Sequence, residues 1–83
     1  MALYGVETKL SPEEVIDKAR VLFGEAGLGL EMAEQGPCCV TFTGGGGHVT
    51  VTASIGDKKT QVELETREWD HDVKRFMRTL ARA

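Results

Sequence analysis

Apolar and polar residues alternate with a period of two over residues 38 to 66, and this stretch organises the rest of the chain. Three alternating runs, separated by Gly44-Gly45-Gly46-Gly47 and Gly56-Asp57-Lys58-Lys59, predict three antiparallel strands joined by hairpins. A four-residue loop at the glycines sets Thr43 against His48, Phe42 against Val49, Val40 against Val51 and Cys38 against Ala53. The last three pairs are apolar. Thr41 with Thr50 and Cys39 with Thr52 fall on the other face, because cross-strand partners share a face and neighbours along a strand do not. A second four-residue loop sets Val51 against Leu64 and Ala53 against Val62, with Thr52 and Ser54 against Glu63 and Gln61. One apolar face therefore survives both turns, and a slip of one residue at either would mix the faces.

The flanks add two more strands and two helices. Residues 3 to 9 alternate, with Tyr4, Val6 and Thr8 on one side, and predict an edge strand. Ser11-Pro12-Glu13-Glu14 is a helix start: Ser11 caps, Pro12 takes the first helical position and Glu14 closes a capping box. Val15, Ile16, Ala19, Leu22, Phe23 and Ala26 keep one buried stripe, so the helix is expected to run to about Ala26 and to end at Gly27. Leu28, Leu30 and Met32 alternate with Gly29, Glu31 and Ala33 and predict a strand. A three-residue loop, Gln35-Gly36-Pro37, then places Glu34 opposite Cys38, Met32 opposite Val40 and Leu30 opposite Phe42. A second helix is expected from about Glu68, with Trp69, Val73, Phe76, Met77 and Leu80 as its buried stripe. Asp70 and Asp72 near its start and Arg75, Arg78 and Arg82 near its end suit the helix dipole.

The order β-α-β-β-β-β-α defines an α+β class: an antiparallel sheet of four to five strands with two helices on one face, in a single domain over residues 1–83. The first strand closes the far edge most economically beside residues 60 to 66. This element order resembles one half of the TATA-binding-protein fold, and also a shortened helix-grip fold of the Bet v 1 and START type. The resemblance spans the whole chain and rests on element order; no residue motif of either family is present, so no functional residue is carried over.

At 83 residues, the chain sits near the lower end of what one hydrophobic core supports, so burial against a second copy, a ligand or a partner is a natural supplement. A net charge of −3 supplies no long-range field for a phosphate backbone and disfavours nucleic acid. No run approaches the roughly 18 apolar residues of a membrane span and no leader pattern opens the chain, so the expected location is cytoplasmic. Adjacent Cys38 and Cys39 are expected to point to opposite faces, the wrong geometry for an ordinary disulfide.

Candidate chemistry is sparse. The glycine run lacks the following helix and the Lys of a phosphate loop, and reads as a flexible hairpin tip whose further use would be close backbone approach to a partner. His48 and His71 lie on different elements, with no set of three or four converging ligands and no nucleophile beside them, so no catalytic residue, metal ligand or cofactor is assigned. The basic residues of the last helix, Lys74, Arg75, Arg78 and Arg82, read as a solvated face. The uncovered face of the sheet stands out, with Glu31, Cys39, Thr41, Thr50, Thr52, Ser54, Glu63 and Glu65 as a possible partner face. The expected function is a non-catalytic interaction or structural module, a homodimer or partner-binding protein. Its first alternative is a small apolar ligand held between the sheet and the last helix near Trp69, Phe76 and Met77. An enzyme of unidentified reaction is the second alternative.

Overall fold

The computed structural model describes residues 2–36 and 38–82. Its elements are β1 (Ala2–Thr8), α1 (Pro12–Phe23), β2 (Glu31–Gln35), β3 (Cys39–Gly44), β4 (Gly47–Ile55), β5 (Thr60–Arg67) and α2 (Asp70–Ala81). They form one five-stranded antiparallel sheet in the order β1-β5-β4-β3-β2, with both helices on the same face. This is the α+β arrangement that the alternation implied, with β1 closing the edge beside β5.

The register of the central strands is the one the apolar pattern requires. Phe42 pairs with Val49 and Val40 with Val51, and on the next hairpin Val51 pairs with Leu64 and Ala53 with Val62. The first hairpin is tighter than expected, because Gly44 pairs with Gly47 and only Gly45 and Gly46 form the loop. Both have positive φ, 57° and 80°, as a two-residue turn matching the strand twist demands. Adding one ladder pair at the tip leaves the pairs from Cys39–Thr52 to Thr43–His48 in place, while the expected Cys38–Ala53 pair falls outside the ladder.

Beneath the sheet, Phe23 of α1 lies between Phe42 of β3, at 5.7 Å between ring centroids, and Phe76 of α2, at 5.4 Å with an edge-on tilt of 71°. Sheet and helices thus share one cluster of three aromatic rings in the core. Three threonines are buried on this apolar side, and each hydroxyl finds a carbonyl: Thr8 donates to Leu80, Thr60 to Leu10 and Thr66 to His48. Burial without those bonds would carry a desolvation cost, so these threonines also fix how chain ends meet the sheet.

The capping box of α1 forms as the sequence predicts: the Ser11 hydroxyl accepts the Glu14 N–H at 3.2 Å and Glu14 accepts the Ser11 N–H at 3.1 Å. That backbone N–H, and secondarily the hydroxyl, hold the Glu14 carboxyl below its ordinary range. The helix ends at Phe23, earlier than the stripe suggests, and Ala26 is exposed. The reason lies beyond the helix. The chain folds back so that Leu28 N–H reaches the Leu22 carbonyl and Leu30 N–H the Phe23 carbonyl, both at 2.9 Å. These bonds satisfy the last turn without another turn of helix. Gly27 therefore serves the fold-back, where a Cβ would collide with the Leu22 carbonyl, and does not cap the helix.

β2 departs from expectation by two residues. Met32 pairs with Phe42, not Val40, and Leu30 is buried just ahead of the strand. Between Met32 and Glu34 the register shifts, so Ala33 is a bulge, Glu34 pairs with Thr41 and Gln35 with Val40. Gly36 N–H closes the turn on the Cys39 carbonyl at 2.8 Å; Pro37, the third residue of the expected loop, lies outside the described residues. α2 begins at Asp70 and not at Glu68, because Glu68 has φ of 75° and no helix propagates back through that conformation.

Candidate interaction surface

Alternation sends the odd-numbered residues of β3 and β5 and the even-numbered residues of β4 to the face without helices. Cys39, Thr41, Thr50, Thr52, Ser54, Glu63 and Glu65 share that face, and Glu31 joins them from β2 opposite Thr43. The sequence-assigned partner residues therefore occupy one continuous surface. Two additions depended on tertiary structure. Glu34 reaches this face because the bulge at Ala33 reverses the alternation, and β1 supplies Leu3 and Glu7 beside Glu65 and Gln61.

The surface has a neutral centre and acidic flanks. Thr41 and Thr50 lie opposite each other with hydroxyl oxygens 3.0 Å apart, joining β3 to β4. His48 points onto this face, as expected, and its Nε2 lies 3.2 Å from Glu65 Oε1, a diagonal contact between β4 and β5. Gln61 donates to the Glu7 carboxylate at 2.5 Å. Glu7, Glu63 and Glu65 flank the threonines on one side and Glu31 and Glu34 on the other, while Arg67 is the strand cation near them among the described residues. The helices carry both signs, with Glu13, Glu14 and Asp17 beside Lys18 and Arg20 on α1 and Asp70 and Asp72 beside Lys74, Arg75 and Arg78 on α2. The acidic excess therefore lies on the open face while the helix layer is mixed, a distribution that the net charge alone hides.

The glycine run has a structural use. Trp69, the residue before α2, donates its Nε1–H to the Gly44 carbonyl at 3.0 Å, and a Cβ at Gly45 would come within 2.9 Å of the Trp69 ring. The hairpin tip is therefore held under the start of α2. Close backbone approach does occur here, but to the chain's own indole.

Cys38 and Cys39 require a correction. The structure joins them in a disulfide, and Cys38 is exposed instead of facing the core. β3 begins at Cys39, so Cys38 lies before the strand and escapes its alternation; it still accepts the Ala53 N–H at 2.9 Å.

The structure places the three residues assigned to a ligand pocket in different surroundings. Phe76 is buried against Phe23, Trp69 covers the hairpin tip, and Met77 packs at the margin of the core. An open, mainly apolar groove of about 440 Å³ lies between α1 and α2, lined by Val21, Leu22, Gly27, Phe76 and Thr79 with Asp17 and Lys18 at its side. His71 is exposed on α2, and its neighbour Asp70 accepts the Tyr4 hydroxyl at 2.7 Å, which raises the Tyr4 phenol above its ordinary value. Among the described residues no group of three or more His, Cys, Asp or Glu converges to hold a metal ion, and no helix is long and apolar enough to cross a membrane. No family model and no curated protein matches this chain.

Proposed function

We propose that this chain is a non-catalytic interaction module, a homodimer or a partner-binding protein, with the open face of the sheet as its contact surface. The observation that carries the reading is the placement of both helices on one face, which leaves the threonine centre and its acidic flanks uncovered across all five strands. Short side chains on a flat sheet accept close packing of another surface, and the carboxylates of Glu31, Glu34, Glu63 and Glu65 favour a protein partner bearing Lys or Arg. A second reading, a small apolar ligand, is supported by the groove between α1 and α2, whose volume of about 440 Å³ falls within the usual range for such sites.

Native mass spectrometry of the protein purified from its own host tests both. The expected result is a dimer or a complex with a second protein, and Thr52→Arg, which adds bulk and positive charge at the centre of the face, is expected to release a second protein bound there. A monomer retaining a small-molecule mass would overturn the interaction reading in favour of the groove.

A further inference from the structure

Every open sheet has two edges, and the two edges of this one are unequally defended. β2 is five residues long, bulged at Ala33, and carries Glu31 and Glu34. Short length, a bulge and charge are the devices that prevent strand addition. β1 has neither the short length nor the bulge, and less charge. It is seven residues long, pairs with β5 without a break from Ala2 to Thr8, contains no Lys or Pro, and has Glu7 as its one charge. Leu3 is 70% exposed, and among the described residues the backbone of residues 2–7 makes no hydrogen bond outside the β1–β5 ladder.

We propose that β1 is a dimer seam: two copies of the chain pair β1 with β1 antiparallel about a two-fold axis at Gly5, joining two five-stranded sheets into one of ten. This rests on the homodimer arm of the reading above, with the contact between copies at the sheet edge and the open face left free for a second protein. The register follows from the faces. Ala2, Tyr4, Val6 and Thr8 face the helices, so only a register that pairs even positions with even positions keeps both apolar layers on one side. Centring on Gly5 does this with all seven residues of each strand. Ala2 meets Thr8, Leu3 meets Glu7, Tyr4 meets Val6, and Gly5 meets its own copy. Tyr4 and Val6 are half-buried in one copy, and each would gain an aromatic to β-branched cross-strand contact, repeated by the two-fold. No two like charges lie directly opposite.

The helix layer fits the same axis. Tyr4 hydrogen-bonds Asp70 and lies under the Lys74 ammonium, while Thr8 bonds the Leu80 carbonyl, so α2 runs alongside β1 in the same direction. The two-fold sets the two copies of α2 antiparallel, with the acidic start at Asp70 and Asp72 toward the second copy's basic end at Arg78 and Arg82. The area also fits. Five strands about 4.8 Å apart and about 20 Å long present roughly 500 Å² of flat face, short of the roughly 800 Å² per partner of a stable interface. A ten-stranded face doubles it.

Sedimentation equilibrium of the full chain, its Gly5→Lys and Gly5→Glu variants, their equimolar mixture and Thr52→Arg provides the test. A side chain fits at position 5, where the nearest atom to an added Cβ is the Val62 carbonyl oxygen at 3.9 Å, and circular dichroism verifies that each variant is folded. The expected result is a wild-type dimer that each Gly5 variant weakens about fivefold or more, that the mixture restores as a heterodimer, and that Thr52→Arg leaves intact. A wild-type monomer at about 100 μM overturns the seam, and the search for a second protein by mass spectrometry then decides the interaction reading separately. A dimer indifferent to Gly5 and lost in Thr52→Arg also overturns the seam, and leaves the open face as the contact. Two weakened variants without restoration in the mixture overturn the axis at Gly5.

Discussion

The two faces of the sheet are made from the same strands, one residue apart, and answer to different constraints. On the helix side, Val40, Phe42, Val49, Val51, Val62 and Leu64 are all within 1% of full burial. On the open side, Thr41, Thr50 and Thr52 are half-buried by their neighbours alone, and Glu63 is exposed. Packing on the first face specifies register, because any slip would bring threonines and glutamates into the core. The second face inherits its geometry from the first, so its side chains are freer to be chosen for contact with something else.

Substitution should expose that inequality. Phe42→Ala removes the ring that stacks on Phe23, and urea unfolding should show a loss of about 3–5 kcal/mol, a large share of the roughly 5–15 kcal/mol that holds a small domain together. Gly45→Ala attacks the point where the hairpin tip meets Trp69. Positive φ and the 2.9 Å approach of the indole act together there, so thermal unfolding should report a cost of about 1–3 kcal/mol. Gly46→Ala, with open space around it, should cost less than Gly45→Ala. The smallest effect belongs to the open face. Thr41→Val keeps a β-branched residue and loses one hydroxyl contact with Thr50, so stability should change by no more than about 1 kcal/mol. An unfolded Thr41→Val protein would break the comparison, because the open face would then carry structural weight equal to the core.

Legibility in the sequence followed the same division. The β3–β4 and β4–β5 registers were readable because two apolar pairs, with one residue between them, recur in each hairpin and each turn announces itself by glycine. The partner-face residues came with them, since parity assigns a face once register is known. The contact of His48 with Glu65 was implicit in that register, as a diagonal between adjacent strands. β2 was less readable, because Ala33 is small enough for either face and gives no sign of a bulge. The end of α1 is not legible in the sequence, because Ala26 continues the stripe while the bonds that stop the helix come from Leu28 and Leu30.

The sequence by itself determined the number and order of elements, the apolar face and the surface opposite it, because alternation and helical stripes are local periodicities that any short window reveals. Tertiary structure decided the rest: the bulge that brings Glu34 to the open face, the clamp of Trp69 on Gly44, the link between Cys38 and Cys39, and the contrast between a guarded β2 edge and an unguarded β1 edge. The bulge, the clamp and the contrast between edges depend on which segments become neighbours in space. The Cys38–Cys39 link depends instead on where β3 begins, a boundary fixed by pairing with β4. Period alone specifies neither.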